Sequence, residues 1–160
     1  MAGRGTPATA LLTRQGITHR LHPYDVSPDA PHYGASVAEA LGVPGDRLFK
    51  TLVGEVDGVL VVAVVPVTGE LDLRRLAAAT GGKRAVLAER PVAERVTGYV
   101  RGGISPLGQR RRLPTVVDSS ALDRDTVYVS AGRRGLQVEL APTDLVALTG
   151  ATVALIAAPA

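Results

Sequence analysis

The sequence of 160 residues contains no cysteine and no tryptophan, and only one phenylalanine and four tyrosines. The absence of cysteine excludes disulfides, thiolate nucleophiles and cysteine-based zinc sites, and it fits a cytoplasmic protein. Because aromatic residues make up only 3% of the chain, we expect a core of Val, Leu, Ala and Ile. The same scarcity argues against a stacking platform for single-stranded nucleic acid.

Residues that hold catalytic metals are also scarce. The three histidines are His19, His22 and His32, and the first two would face opposite sides of a strand. The H-E-x-x-H, G-x-S-x-G, Walker and G-x-G-x-x-G motifs are missing from the sequence. We therefore expect no metal, no cofactor, no nucleotide hydrolase and no Rossmann enzyme, whereas a Ser-His-Asp triad is not excluded by residue counts.

Long apolar runs are missing as well. The longest, 59–67, falls far short of the roughly 20 residues that span a bilayer, and the first seven residues lack the apolar core of a signal peptide. With 46% hydrophobic and 21% charged residues, the chain is typical of a globular protein, and residues 1–160 fit a single domain. The net charge of +3 favours an anionic partner.

Turn and capping residues predict an α+β fold with a mainly antiparallel sheet, which can curl into a barrel. Asp57-Gly58 predicts a hairpin between strands 48–56 and 59–65, and a second hairpin spans 128–140 with its turn at 131–135. The near-continuous apolarity of 59–65 indicates burial on both faces. Further strands are expected at 17–24, 115–117 and 151–156, and a loop is expected at 25–34. Helices are expected to begin near Thr6-Pro7, Ser36, Asp72, Pro91 and Pro142.

Lysine is rare: arginine supplies almost all positive charge, and the two lysines are Lys50 and Lys83. Lys50 and Thr51 lie between Phe49 and Leu52 in a predicted strand. Such a lysine either points into solvent, which is the commoner case, or is partly buried with a partner, where its pKa can shift.

A glycine-rich stretch, 101–114, stands out among the loops. Three glycines and a proline lie between Gly102 and Gly108, and Arg110, Arg111 and Arg112 follow. Such a loop can present backbone N–H groups to an oxyanion, and the arginines can contact phosphates. A surface turn with a solvated charge run is the alternative.

Two hydroxyl residues lie at predicted strand ends. Ser130 precedes Ala131-Gly132, and Tyr24 ends the first strand. Each could contribute a hydroxyl to a site, but an ordinary turn serine and an edge-packed tyrosine are the simpler interpretations.

Together these stretches resemble the YbaK/EbsC family of aminoacyl-tRNA deacylases. The matching pieces follow the family order over nearly the whole chain, and the glycine-rich piece is specific in combination with the Lys-Thr pair. The pieces are Thr6-Pro7-Ala8, His22-Pro23-Tyr24-Asp25, Phe49-Lys50-Thr51-Leu52, the run 65–73, Val96-Thr97-Gly98-Tyr99, the run 102–108, Arg112-Leu113-Pro114-Thr115, Tyr128-Val129-Ser130 and Arg134-Gly135-Leu136.

The resemblance implies a mixed, partly barrel-like sheet with surrounding helices and a pocket for the 3′ end of a mischarged tRNA. It implies trans-editing of cysteine attached to proline tRNA, in company with prolyl-tRNA synthetase. By the same resemblance, Lys50, Thr51, Gly102 and Ser130 are the catalytic candidates. The resemblance also implies that the substrate is bound by Tyr24, Gly103, Ile104, Ser105, Pro106, Leu107 and Gly108. Arg110, Arg111 and Arg112 are the candidates for contacts with tRNA phosphates.

One position departs from the family pattern. The family often has an acidic residue after Arg-Gly-Leu, where this chain has Gln137. Glu139 is the nearest carboxylate and would share the same strand face.

The implied mechanism needs no strong protein nucleophile, because an aminoacyl ester is already activated. The thiol of the attached cysteine can attack the carbonyl carbon of the same residue, which releases the cysteine from the ribose. The protein then orients the substrate and stabilises the oxyanion. Two alternatives stay open: an editor of Ala-tRNA(Pro) or of broader specificity, and a non-catalytic module that binds tRNA or a synthetase.

Overall fold

Local sequence signals account for most of the elements in the computed structural model, which describes residues 5–159. Residues 1–4 and 160 of the predicted single domain lie outside this range. The helices are α1 (Pro7–Arg14), α2 (Tyr33–Leu41), α3 (Leu73–Ala79), α4 (Arg90–Thr97) and α5 (Pro142–Thr149). The strands are β1 (His19–Pro23), β2 (Phe49–Val56), β3 (Val59–Pro66), β4 (Gly69–Leu71), β5 (Ala85–Leu87), β6 (Thr115–Asp118), β7 (Val127–Arg133), β8 (Leu136–Leu140), β9 (Thr152–Ala154) and β10 (Ala157–Pro159).

The predicted hairpin of β2 and β3 forms the centre of a five-stranded sheet with the order β5-β2-β3-β6-β9. Asp57 and Gly58, with φ of 48° and 84°, make its turn, which fits the two positive φ angles of a type I′ turn. β5, β2 and β3 pair antiparallel, whereas β6 and β9 add in parallel. From Val61 onward β3 is buried along its length, and this confirms the predicted burial on both faces.

The second predicted hairpin, β7 and β8, extends into a three-stranded antiparallel sheet with β1 at its edge. β4 and β10 form a separate antiparallel pair. A parallel bridge between Leu48 and Tyr128 connects the two larger sheets. The prediction of a mainly antiparallel, partly barrel-like α+β fold is confirmed.

The two faces of β3 belong to different cores. Val62 and Val64 pack with α1, β7, β8 and α5 in the larger core. Val61, Ala63 and Val65 pack with α3 and with Ile156 in the smaller one. The alternation of side chains along one strand therefore holds α1 and α5 on one side of the central sheet and α3 on the other.

Capping predictions were correct for two helices and wrong for one. The Thr6 and Asp72 side chains accept the N–H groups of Thr9 and Arg75 at 3.1 Å, as expected for N-caps. The helix predicted to open at Ser36 instead begins at Tyr33, because the Ser36 N–H already bonds to the His32 carbonyl at 3.0 Å. This earlier start matters because it brings Tyr33 to the candidate site.

Two further differences concern strands. The segment 131–135 was predicted to be a turn, but β7 continues to Arg133 through an irregularity in register after Ser130, and the chain turns at Gly135. β4, β5 and β10 were not predicted; each has three residues, too few for a clear alternation. Within residues 5–159, no helix has the length and apolarity required to cross a membrane.

Candidate functional site

A cavity of about 780 Å³ opens where the two larger sheets approach each other. Its walls come from the segment 28–34, the first half of β2, the start of the glycine-rich stretch and the β7–β8 hairpin. All four predicted catalytic candidates line the cavity: Lys50 and Thr51 on β2, Gly102 in the glycine-rich stretch and Ser130 on β7.

Lys50 lies on β2, and its side chain is one-third exposed. Its Nζ is 3.8 Å from Glu70 Oε2, and the Glu70 side chain is largely in solvent. An ion pair this open adds little stability. Of the two interpretations of Lys50, the structure therefore matches a partly buried lysine with a partner, and the residue is among those that line the cavity.

Three neutral polar residues, Thr51, Ser130 and Gln137, are among those that line the cavity. Thr51 Oγ1 is buried and has no hydrogen-bond partner within residues 5–159. Ser130 pairs across the hairpin with Gln137, and its Oγ accepts the Gly132 N–H at 3.2 Å. Gln137 also lines the cavity, and its Oε1 is buried without a partner among the described residues. Gln137 was considered from sequence only as a departure from the family pattern.

The start of the glycine-rich stretch forms the opposite wall. Gly102, with a φ of 86°, and Ile104 line the cavity. The Gly103 N–H is used internally, because it donates to the Val100 carbonyl at 2.8 Å. Within residues 5–159, the N–H groups of Gly102 and Ile104 donate to no other residue. Of the predicted oxyanion donors, these two fit best.

The second half of this stretch does not reach the cavity. Ser105 and Leu107 are fully buried, and Leu107 belongs to the larger core. The Leu107 carbonyl accepts the Tyr99 hydroxyl at 2.7 Å, and burial raises the pKa of Tyr99 to about 12. Pro106 and Gly108 lie beside a second, smaller cavity. The placement of these four predicted substrate-binding residues fits a structural role, because the apolar Leu107 anchors the loop in the core.

Tyr24 is not among the residues that line the cavity, but it is hydrogen-bonded to one that is. Its hydroxyl bonds to the Tyr33 hydroxyl at 2.8 Å, and Tyr33 lines the cavity and donates to the Gly102 carbonyl at 3.5 Å. Burial, together with the Tyr24 hydrogen bond, raises the pKa of Tyr33 well above its ordinary value. Tyr33 was missed because its segment was predicted to be a loop.

The predicted phosphate contacts, Arg110, Arg111 and Arg112, are exposed and lie outside this cavity. Three other exposed arginines, Arg90, Arg101 and Arg134, line it instead. Arg134 Nε donates to the Arg101 carbonyl at 2.8 Å, which joins the two sides of the opening. Sequence reasoning missed these three because they are separate in the chain and only folding brings them together.

Glu139 does not replace a carboxylate at Gln137. Its Oε1 accepts His22 Nε2 at 2.9 Å and its Oε2 accepts the Thr126 hydroxyl. Burial alone would raise the pKa of Glu139, but the hydrogen bonds from Thr126 and His22 outweigh it and hold the pKa below its ordinary value. The carboxylate is thus committed to a polar cluster beside the cavity.

The cavity therefore has a cationic rim and a neutral floor. Lys50 and the arginines Arg90, Arg101 and Arg134 provide positive charge, and Asp29 is the one acidic residue that lines the cavity in the described part of the chain. Within residues 5–159, no group of three or more His, Cys, Asp or Glu side chains could hold a metal ion. This arrangement suits a ligand with phosphates at one end and a neutral polar group at the other.

Comparison with known proteins gives consistent results. A family model described as the aminoacyl-tRNA editing domain matches residues 28–148. A protein of Enterococcus faecalis named as a candidate Cys-tRNA(Pro)/Cys-tRNA(Cys) deacylase, EbsC, is 41% identical over 147 residues, which cover 90% of this chain and 88% of the relative. The multifunctional Ser/Thr-tRNA deacylase ProXp-y of Escherichia coli is 31% identical over 140 residues, covering 84% of this chain and 81% of the relative.

Solved structures show the same fold. The crystal structure of a hypothetical protein has a TM-score of 0.85 at 28% identity, covering 96% of this chain and all of the other. The crystal structure of a candidate trans-editing enzyme for prolyl-tRNA synthetase has a TM-score of 0.84 at 24% identity, covering 98% of this chain and 99% of the other. At that identity the second likeness concerns the fold alone.

Proposed function

Because the chain belongs to the aminoacyl-tRNA editing domain family, whose members hydrolyse aminoacyl esters of mischarged tRNA, we propose that it removes cysteine from cysteine-charged proline tRNA. The relative at 41% identity, a candidate deacylase of Cys-tRNA(Pro) and Cys-tRNA(Cys), supports cysteine as the amino acid. We further propose that the protein acts in trans and cooperates with prolyl-tRNA synthetase.

The observation that carries the proposal is the convergence of Lys50, Thr51, Gly102 and Ser130 on one cavity. The tRNA 3′ end is polyanionic, so its phosphates would occupy the rim beside the arginines and Lys50. The aminoacyl ester would then extend toward the neutral floor. A substrate in this orientation has its carbonyl near the wall that Gly102 and Ile104 form.

In the proposed reaction, the carbonyl oxygen becomes an oxyanion as a nucleophile adds to the ester carbon. The N–H groups of Gly102 and Ile104 stabilise this charge, an effect worth roughly 3–4 kcal/mol per donor in favourable sites. Lys50 holds the terminal ribose or phosphate and adds positive charge. The bond between the carbonyl carbon and the ribose oxygen then breaks, and that oxygen takes up a proton.

The nucleophile is the substrate's own thiol. Its sulfur attacks the carbonyl carbon, the ester bond breaks, and a thiolactone leaves, which water then opens to cysteine. This route requires no cysteine, metal or catalytic triad from the protein. It also predicts that alanyl and seryl esters, which lack the thiol, react slowly.

Single-turnover deacylation of Cys-tRNA(Pro) and Ala-tRNA(Pro) tests the proposal, with wild type, Lys50→Ala and the matched control Lys83→Ala, each with and without prolyl-tRNA synthetase. We expect fast loss of cysteine only, at least roughly a hundredfold slower in Lys50→Ala and unchanged in Lys83→Ala. Faster cleavage of Ala-tRNA(Pro) than of Cys-tRNA(Pro) would identify the protein as an editor of alanine-charged proline tRNA instead. If wild type is inactive on both esters but binds the tRNA, the protein is a binding module.

A further inference from the structure

The glycine-rich stretch begins with a tight turn from Val100 to Gly103. The Gly103 N–H closes the turn by donating to the Val100 carbonyl at 2.8 Å. Gly102 has a φ of 86°, whereas Arg101 is not among the residues with positive φ, and this combination defines a type II turn. In the type I alternative, the peptide that joins Arg101 to Gly102 is turned over. Because glycine adopts both signs of φ, residue 102 permits either orientation, and contacts around the turn decide between them.

Side chains from three other elements hold the polar groups of this turn. Glu94, on α4, accepts the Arg101 N–H at 2.9 Å through Oε2. Arg134, between β7 and β8, donates from Nε to the Arg101 carbonyl at 2.8 Å. The Tyr33 hydroxyl, on α2, donates to the Gly102 carbonyl at 3.5 Å. Of the backbone N–H and C=O groups of Arg101 and Gly102, the Gly102 N–H is therefore the one without a partner among residues 5–159.

The hydrogen bond from Arg134 determines where this free N–H points. In a trans peptide the carbonyl oxygen and the amide hydrogen lie on opposite sides of the C–N bond, and the described part of the chain has no cis peptide. Because the Arg101 carbonyl points to Arg134 Nε, the Gly102 N–H points away from it. Gly102 is partly exposed and lines the cavity. In the turned-over peptide, the carbonyl oxygen would replace the N–H and repel an oxyanion.

The charge of Arg134 strengthens this effect. A hydrogen bond from a guanidinium is stronger than one from a neutral donor. Because it polarises the peptide whose carbonyl it binds, the N–H at the other end of that peptide becomes a better donor. The bond uses Nε, and this leaves the two Nη groups of Arg134 for a phosphate at the rim.

We infer that Arg134 is a positioning residue, which holds the Arg101–Gly102 peptide in its type II orientation and thereby presents the Gly102 N–H to the oxyanion. This inference rests on the proposed function and adds to it the side chain that orients one of the two oxyanion donors. Arg134 then has two separable roles, because its charge serves tRNA binding and its Nε–H serves the orientation of the peptide.

Two substitutions of equal length separate the hydrogen bond from the charge. Arg134→Gln removes the charge but keeps an N–H donor, because the side-chain nitrogen of glutamine follows Cδ as Nε does in arginine. Arg134→Met has neither charge nor donor. Arg133→Gln and Arg133→Met, at the neighbouring exposed position, are the matched controls.

The first measurement is single-turnover deacylation of Cys-tRNA(Pro) over a range of protein concentrations. Both Arg134 variants should raise the half-saturating concentration by the same factor, because both lose the charge. At saturation, Arg134→Met should be at least about tenfold slower than wild type, whereas Arg134→Gln should stay within about threefold of it. The Arg133 variants should match wild type at saturation. A residue that only binds phosphate would give equal saturating rates in Arg134→Gln and Arg134→Met.

The second measurement reads the orientation of the peptide by NMR in the ligand-free protein. The nuclear Overhauser effect between the Arg101 Hα and the Gly102 N–H is strong in a type II turn and weak in a type I turn, because turning the peptide over moves the two hydrogens apart. We expect a strong effect in wild type and Arg134→Gln and a weaker one in Arg134→Met.

Either of two results would overturn the inference: equal saturating rates in Arg134→Gln and Arg134→Met, or an Arg101–Gly102 Overhauser effect that Arg134→Met leaves unchanged. Both results leave the deacylase proposal standing if wild type cleaves Cys-tRNA(Pro). If wild type cleaves no ester, the deacylase proposal fails, and the NMR comparison still decides whether Arg134 orients the peptide.

Discussion

Gly103 lies directly against the backbone of Arg133. A Cβ atom at Gly103 would be 2.8 Å from the Arg133 Cα and carbonyl carbon, closer than packed carbon atoms approach. This close approach joins the glycine-rich loop to the end of β7, three residues from Ser130. It therefore sets the spacing between the Gly102 wall and the Ser130 side of the cavity, and only glycine permits it.

Gly103→Ala should impair both the site and the fold, because the new methyl group forces the loop away from β7. We expect deacylation at least about tenfold slower and a loss of about 1–3 kcal/mol in the free energy of unfolding, measured by single-turnover kinetics and denaturant titration. The control is Gly81→Ala, where the added Cβ meets open space at a φ of 76° and only local strain of about 1 kcal/mol is expected. Normal activity in Gly103→Ala would show that this spacing does not matter.

The rim arginines should dominate tRNA binding. Replacing Arg90, Arg101 and Arg134 with Gln should weaken binding of a tRNA acceptor end and reduce the slope of log K against log salt by roughly 0.7 for each phosphate that is no longer neutralised. The same replacement at Arg110, Arg111 and Arg112 is the matched comparison and should change the slope less. A larger change in slope for the Arg110, Arg111 and Arg112 variant would show that these residues bind the phosphates, as the sequence predicted.

Asp118 should stabilise the C-terminal segment. Its carboxylate accepts the N–H groups of Ile156 and Ala157 at 2.8 and 2.9 Å and the Ser120 hydroxyl at 2.6 Å. Burial alone would raise the pKa of Asp118, but these hydrogen bonds outweigh it and lower the pKa. The stabilisation is therefore present above the ordinary pKa of an aspartate and is lost as the pH falls through the lower pKa of the folded protein.

Asp118→Asn should remove about 1–3 kcal/mol from the free energy of unfolding at neutral pH and flatten its decline in acid. Denaturant titrations across the acid range measure both effects, and the exposed residue Asp125, replaced by Asn, is the control. Equal acid slopes in wild type and Asp118→Asn would show that another carboxylate controls the acid limit.

Tyr99 should make the stability of the protein depend on pH in the alkaline range. Burial raises its pKa to about 12, so the unfolded chain loses this proton first, and the free energy of unfolding should fall between pH of about 10 and about 12. Tyr99→Phe should make this decline less steep, because Tyr33, whose pKa is also raised, still contributes to it. At neutral pH it should destabilise the protein by about 1–3 kcal/mol, because the Leu107 carbonyl loses its donor. Titration of stability with pH in both proteins checks the prediction, and an unchanged alkaline slope would contradict it.

The sequence was informative where structure depends on adjacent residues. The Thr6 and Asp72 caps and the Asp57-Gly58 turn were correct because each is decided within a few residues. All of the glycine-rich stretch was predicted to line a pocket, but Leu107 is buried in the larger core instead. No local sequence pattern shows which residues of an irregular loop face the core. Tyr33 was missed because a left-handed His32, without a side-chain cap, begins its helix.

The candidate site, too, was only partly predictable from the sequence. Lys50, Thr51, Gly102 and Ser130 were proposed from a resemblance, and they meet at one cavity; their catalytic roles stay predictions. Gln137 was noted from the resemblance only as a departure from the family pattern. Arg134 could not be found in this way, because its place at the cavity depends on the contact of the β7–β8 hairpin with the loop that carries Arg101. Contacts between distant segments decide this placement.

Lys50 and Lys83 are the two lysines of the sequence. Lys50 is one-third exposed at the cavity, and Lys83 lies on the exposed turn before β5, where its N–H bonds to Asp57. An amine-reactive label therefore has two side-chain targets in the whole protein. Protection of Lys50 relative to Lys83, read by mass spectrometry of the peptides, reports occupancy of the cavity with an internal standard, without radioactive substrate or an engineered probe.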